Sequence, residues 1–250
     1  YTLDAAYMIA PKVGYIKISS FGATTHKEFS DALTTLRGKK MQHLILDLQG
    51  NGGGYLKAAV DMANDFLQAG QQIVYTEGNS SPRSEFIAEG KGQFQEGRLV
   101  VLIDEYSASA SEIVTGAIQD WDRGIVVGRR SFGKGLVQRP VPMPDGSLIR
   151  LTIARYYTPS GRCIQKPYNK GDREEYDKEI LERYNRGEIF SQDSVHQNEE
   201  LIYKTKKGRT VYGGGGIMPD IFVAGDTTHL TTFTSEALAR GFISQFTLKY

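Results

Sequence analysis

Three serines, Ser107, Ser109 and Ser111, alternate with Ala108 and Ala110 a few residues after the apolar run Leu99 to Ile103. Small side chains at every second position leave room for a ligand. A serine at a helix start is either an N-cap or a nucleophile in the positive field of the helix terminus. For any single one of the three, capping is the commoner role, and Ser111 suits it, with Glu112 in the same first turn. A nucleophile needs a base, because a free hydroxyl is almost wholly protonated at neutral pH. The chain has four histidines, and none lies beside a small-residue turn: His26 starts a helical run, His43 precedes a strand, His196 falls in a polar stretch and His229 lies near the end. Lysine is the alternative base. Lys134 stands out because Gly133 and Gly135 flank it within the segment Gly128 to Gly135. Glycines let backbone pack closely, and burial of an amine favours its neutral, basic form.

A second turn carries Asp47-Leu48-Gln49-Gly50-Asn51-Gly52-Gly53-Gly54 between a predicted strand and a predicted helix. Backbone N–H groups at such a turn make an anion or oxyanion site. The Gly128–Gly135 segment also matches the GxxxxGK spacing of a phosphate-binding loop, but Gly135 stands where that motif needs a Mg²⁺-binding Ser or Thr. A strand-like, proline-broken run, Leu136 to Pro142, follows it instead of a helix, so nucleotide binding is rejected.

These turns need a frame, and apolar periodicity supplies one. Val13–Ile18, His43–Leu48, Gln72–Tyr75, Leu99–Ile103 and Ile125–Val127 read as strands, with Leu136–Gln138 and Ser147–Tyr156 extended. A helix opens at Thr25 with capping-box spacing to Glu28 and an inner face of Phe29, Leu33 and Leu36. A second helix has the stripe Leu56, Val60, Ala63 and Leu67 and stops at Gly70, and a third starts near Ser109 with Ile113, Ala117 and Ile118 inward. Strands alternating with helices through short connections predict an α/β layer fold. Residues 166–207 interrupt it as a charged, polar insertion with one amphipathic helix on Tyr176, Ile180 and Tyr184. The simplest role for its 174–200 stretch is a solvated lobe without chemistry; lying over the cleft and meeting another subunit stay open.

Composition narrows the classes. Lys plus Arg is 30 and Asp plus Glu 29, so a net charge of +1 excludes electrostatic capture of nucleic acid or anionic membrane as the main business of the chain. Charged residues at 24% and hydrophobic ones at 40% are ordinary globular values. No apolar run is long enough to span a membrane. The lone Cys163 allows no internal disulfide and no multi-cysteine zinc site, and reads as a packing residue. Glycine, 28 of 250 residues, clusters at Gly50–Gly54, Gly128–Gly135 and Gly213–Gly216. The chain starts without Met and ends on an apolar-periodic run, so it reads as a piece of a longer precursor.

Together these motifs resemble the C-terminal processing peptidase (tail-specific protease) family. The resemblance rests on Ser107-Ala108-Ser109-Ala110-Ser111-Glu112-Ile113, on Gly128 to Gly135 with Gln138, on Asp47-Leu48 with Asn51 and Gly52-Gly53-Gly54, and on Gly214-Gly215-Gly216-Ile217-Met218-Pro219-Asp220, in that family's order. It covers about Val13 to Val223 and implies a layered, crotonase- or ClpP-like sheet-and-helix core of a serine endopeptidase. It implies cleavage of protein or peptide substrates near their C-termini by a Ser–Lys(–Gln) acyl-enzyme route, with no metal or cofactor. Ser109 takes the nucleophile's place, Lys134 the general base's, and Gln138 that of the residue supporting the amine. The backbone N–H groups of Ala110 and Gly54 take the oxyanion hole's. The resemblance further implies a periplasmic or other extracytoplasmic site and a PDZ domain in the full-length chain, for which this sequence shows neither the glycine-rich carboxylate loop nor room. Oligomeric state stays open. The family usually reads Asp-Leu-Arg where this chain has Gln49, so no role of that arginine transfers. Rivals are a binding scaffold with an idle triad, which would not react with a fluorophosphonate, and a crotonase-like acyl-CoA enzyme, which would tolerate changes at Lys134 and Gln138.

Overall fold

The computed structural model of the chain describes residues 1–168, 173–226 and 231–249. β1 (Leu3–Ala10) and β2 (Val13–Ile18) form an antiparallel hairpin. α1 (Thr25–Gly38), β3 (His43–Asp47) and α2 (Leu56–Asn64) follow, and β4 (Gln72–Gly78) and β5 (Ser81–Ile87) form a second hairpin. The chain returns through β6 (Leu99–Ile103), α3 (Ala110–Asp120) and β7 (Ile125–Gly128). Beyond these come the hairpin β8 (Leu136–Pro142) and β9 (Leu148–Tyr157), then α4 (Arg173–Asn185), β10 (Ile202–Lys204), β11 (Thr210–Tyr212) and β12 (Ile221–Phe222). Two short helices, α5 (Thr232–Ala239) and α6 (Phe242–Lys249), close the sequence.

One sheet has the order β1-β2-β3-β6-β7-β12, parallel from β2 onward, and a second, antiparallel sheet has the order β5-β4-β9-β8. The strands of the first sheet bury alternate residues: Ile16 and Ile18, Leu44 and Leu46, then Leu99, Val101 and Ile103. They share one hydrophobic cluster with Phe29, Leu33 and Leu36 of α1 and Ile113, Val114, Ala117 and Ile118 of α3. Each buried Val, Leu, Ile or Phe side chain among them contributes roughly 1.5–3 kcal/mol. This core fixes the C-terminal ends of β3 and β6, where an open α/β sheet binds its ligands.

The α/β core read from the sequence is present, with local differences. The N-cap of α1 is Thr24, not Thr25, because Thr25 is buried and accepts a hydrogen bond from Gly22 N–H. Glu28 takes the Thr24 hydroxyl at 2.7 Å and reaches back to Thr2 N–H and Leu3 N–H, so it fastens β1 to α1. α2 buries Ala58, Ala59, Met62 and Ala63, a face rotated from the expected stripe, and Leu56 and Val60 pack at its rim. It stops at Asn64 rather than Gly70, because Asn64 and Asp65 accept Glu89 N–H and Gln93 N–H from the next segment. β8 runs through Pro140 and Pro142, which an edge strand tolerates. β1 and β5 carry no clear apolar alternation and were not legible; both are edge strands.

Candidate functional site

Register places the two turns side by side. Asp47 pairs with Leu102 at the ends of β3 and β6, so the glycine turn (48–54) and the serine turn (104–109) leave the sheet together. The Asp104 carboxylate joins them, accepting Gly50 N–H at 3.0 Å from one turn and Tyr106 N–H at 3.0 Å from the other. Asn51 is fully buried: its Oδ1 accepts Gly53 N–H at 2.9 Å and its Nδ2 donates to the Ile18 carbonyl at 2.9 Å. The three serines then separate by their bonds. Ser107 donates its hydroxyl to the Leu48 carbonyl at 2.8 Å and Ser111 donates to the Asn51 carbonyl at 2.9 Å. Ser111 is therefore no N-cap: it ties α3 to the glycine turn.

Ser109 is different. It is the N-cap residue of α3 at φ 56° and ψ −111° and forms a capping box with Glu112, its side chain facing the Glu112 N–H, while its hydroxyl donates to no acceptor among the described residues. Positive φ is rare for a residue with a Cβ and costs of order 1–3 kcal/mol, so surrounding contacts must hold it. Two do. Glu112 Oε2 accepts Ser109 N–H at 2.7 Å. Gly53 lies against the same turn so closely that a Cβ there would stand 2.6 Å from the Ala108 carbonyl oxygen and 2.7 Å from Ser109 Cβ. A strained, half-buried serine between a strand and a helix is placed as in a nucleophile elbow. Among the described residues, neither Ala110 N–H nor Gly54 N–H has an acceptor. Gly54, at φ 149°, admits no side chain, since a Cβ would meet the Phe21 carbonyl oxygen at 2.0 Å.

Lys134 comes to this place through Glu112. The carboxylate is fully buried and accepts Lys134 N–H at 2.9 Å, Gly133 N–H at 2.7 Å and the Ser131 hydroxyl, besides Ser109 N–H. Burial pushes this carboxyl above its ordinary pKa range, and the four donors pull it back. The Tyr156 hydroxyl bridges the same two segments, directed at the Ser109 carbonyl at 3.0 Å and at the Lys134 carbonyl. Burial first, and the Glu112 charge second, hold this phenol well above its usual pKa, so it remains a donor. The Gly214–Asp220 motif backs the loop, with Ser131 N–H on the Ile217 carbonyl at 3.0 Å and Ile217 N–H on the Ser131 hydroxyl at 2.7 Å.

The main chains of Ser109 and Lys134 are thus locked together, but their side chains are not. Among the described residues, the Ser109 hydroxyl, the half-buried Lys134 amine and the Gln138 amide make no hydrogen bond to one another. Gln138 is exposed on β8, immediately after the register shift at Val137/Gln138 opposite β9. The histidines lie elsewhere: His26 bonds Asp65, His43 accepts Arg98 N–H, and His196 is exposed, while His229 falls outside the described residues. Sequence reasoning missed Tyr156 and Asp104, for which no spacing gave a signal. It saw Glu112 only as a first-turn acid, although its place three residues after Ser109 is capping-box spacing. Among the described residues no cluster of His, Cys, Asp or Glu could hold a metal, and no helix is long and apolar enough to cross a membrane.

Comparison with known proteins adds a family. Residues 12–174 match the sequence model of peptidase family S41. A carboxyl-terminal-processing protease of Synechocystis is 42% identical over 154 residues, covering 62% of this chain and 36% of that protein. A carboxy-terminal processing protease of Bacillus subtilis is 40% identical over 157 residues, covering 62% of this chain and 32% of that protein. Among solved structures, a photosystem II D1 C-terminal processing protease superposes with a TM-score of 0.57 at 37% identity, over 61% of this chain and 39% of that one. The chain spans about a third of the length of the curated relatives it matches.

Proposed function

This chain belongs to peptidase family S41, and from that membership we propose that it is the catalytic core of a serine endopeptidase that cleaves protein substrates near their C-termini. The observation that carries the reading is Ser109, held at φ 56° at a helix start with a hydroxyl that donates to no acceptor, while Ala110 N–H and Gly54 N–H in the two adjoining turns also lack acceptors among the described residues.

The chemistry follows from those groups. The Lys134 amine takes the proton of Ser109, whose oxygen attacks the scissile carbonyl. Negative charge grows on the carbonyl oxygen, where the Gly54 and Ala110 amides receive it, each worth about 3 kcal/mol. Lys134 then protonates the leaving amine, and water reverses the sequence to free the acyl group. Gln138 orients the amine. Because Lys134's amine and the serine hydroxyl are not bonded, the dyad closes by rotation of the lysine side chain over a main chain already fixed by Glu112 and Tyr156. A groove of about 1210 Å³ lies on the second sheet, between the β4–β5 turn and β9 with Leu136 and Arg139 of β8, and its lining includes none of Ser109, Lys134 and Gln138. Substrate docks as an added strand on the free edge of β8, with an apolar side chain near the cut. Pro140 and Pro142 limit pairing to the Leu136–Arg139 end of β8.

The 250 residues form one catalytic unit with a polar lobe inserted at about 166–207, and a PDZ domain elsewhere in the full-length protein delivers the substrate's C-terminus. Its site is periplasmic or otherwise extracytoplasmic, as suits relatives from bacteria and chloroplasts. The unbonded dyad is also what an idle scaffold would show, and mutation separates the two. Ser109→Ala and Lys134→Ala in the full-length protein each abolish cleavage of fluorescent casein and keep the wild-type unfolding transition. Removal of a general base typically costs ~10²–10⁴-fold. A Lys134→Ala variant that keeps most of its activity overturns the dyad.

A further inference from the structure

The lobe grips the lysine loop by its carbonyls, whereas Glu112 takes its N–H groups. Arg183 of α4 is 1% exposed. Its Nη1 donates to the Ser131 carbonyl at 2.8 Å and its Nη2 to the Phe132 carbonyl at 3.2 Å, while its Nε is held by Glu179 at 2.5 Å. Glu179 also takes Lys166 Nζ at 3.0 Å, and that amine lies 4.1 Å from the ring centroids of both Phe132 and Tyr176. Lys166 N–H donates to the Gly133 carbonyl at 2.9 Å, and Gln165 Oε1 accepts Gly135 N–H at 2.9 Å. One residue earlier, Arg130 is bound bidentately by Glu188. From 130 to 135 every residue is fastened to a neighbouring element, which leaves the Lys134 side chain as the part of the loop with freedom to move.

Burying a guanidinium costs several kcal/mol before it is compensated, and an apolar residue would attach a lobe at less cost. An arginine's planar fork does something an apolar contact cannot: it fixes two successive carbonyls in direction as well as distance. Those carbonyls belong to the two residues that begin three positions before Lys134. The family match ends at residue 174 and α4 starts at Arg173, so almost the whole gripping helix lies beyond the matched segment.

We propose that Arg183, oriented by Glu179, is a positioning residue for Lys134: it sets the course of the loop, and so the direction from which the amine approaches Ser109. This rests on the reading of Lys134 as the base. The lobe is then part of the active-site frame, not only a solvated appendage.

The test uses the full-length protein, with kcat and KM on fluorescent casein and the rate at which a fluorophosphonate labels Ser109. Arg183→Ala lowers kcat and the labelling rate by about 10-fold or more, as a displacement of a fraction of an ångström at the base would, while KM stays within about twofold. Arg183→Lys recovers less than half of the loss, because one ammonium cannot span both carbonyls and Glu179. Wild-type kcat and labelling in Arg183→Ala, or a loss confined to KM, overturns the proposal. If Arg183→Ala does not fold, Arg183→Lys and Glu179→Gln are judged by the same criterion. Lys134→Ala runs alongside: if it stays active, the base assignment falls and this proposal with it. If it is dead while the Arg183 variants are unimpaired, only the positioning role falls.

Discussion

Replacing Gly53 by alanine tests whether close approach of the two turns holds Ser109 in its strained conformation. The new Cβ would stand 2.6 Å from the Ala108 carbonyl oxygen, 2.7 Å from Ser109 Cβ and 2.9 Å from Ala110 N. The first of these is about 0.8 Å inside ordinary contact, and the three neighbours belong to the end of the serine turn and the first residue of α3. Gly53 also has φ 96°, which costs an L-residue roughly 1–2 kcal/mol. Overpacking adds about 1–3 kcal/mol. At ~2–4 °C per kcal/mol for a chain of this size, Tm falls by roughly 10 °C. Relief of the overlap moves Ser109 and Ala110 apart from Gly54, so the fluorophosphonate labelling rate falls about 10²-fold. Gly50 is the control: its φ is 73°, but a Cβ there meets nothing within 4 Å. Gly50→Ala therefore acquires only the backbone strain and keeps its labelling rate. Equal melting and equal labelling in the two variants would refute the reasoning, since backbone strain alone would then explain Gly53.

Two further outcomes follow from side chains around the same frame. Tyr156→Phe removes the hydroxyl that bridges the Ser109 and Lys134 carbonyls, so unfolding by urea shows a loss of about 1–3 kcal/mol and kcat falls several-fold with little change in KM. A KM effect alone would place the tyrosine with substrate instead. His26 lies 3.0 Å from Asp65, and this bond raises the imidazole pKa above its ordinary value against the opposing effect of burial. A raised folded-state value makes its stabilisation complete below the unfolded value of ~6.5 and lost as pH rises through the folded one. The Tm penalty of His26→Ala is accordingly larger near about pH 5.5 than near about pH 8.5, and equal penalties would remove the ion pair from the account.

The parallel strands and their helices were legible because each repeats a burial period. β2, β6 and α3 lie where apolar spacing put them, and Ile16, Leu33 and Ile118 are buried as expected. Edge strands β1 and β5 were not, since each has one edge without a partner strand and most of its residues lie at the surface or only half-buried. Small-residue alternation pointed to the three serines and flanking glycines to Lys134, but local spacing could not separate Ser109 from Ser111; only the family resemblance singled out Ser109. That distinction depends on the Asn51 carbonyl, 60 residues away in sequence. Tyr156 and Arg183 were invisible for the same reason: the first is one aromatic in an extended run and the second one charge in a polar helix. Only tertiary contact turns them toward the loop. The lobe's expected inner face on Tyr176, Ile180 and Tyr184 is correspondingly shifted, with Arg183 buried and Tyr184 45% exposed.

The central claim is that one hydroxyl among three neighbouring serines is activated by one lysine. Reacting the full-length protein with a fluorophosphonate and sequencing the modified peptide tests it, in the wild type and in Lys134→Ala. The account predicts modification at Ser109 alone and a rate at least about 10²-fold lower without the lysine. Modification of Ser107 or Ser111, or an unchanged rate at Ser109 in Lys134→Ala, would contradict it.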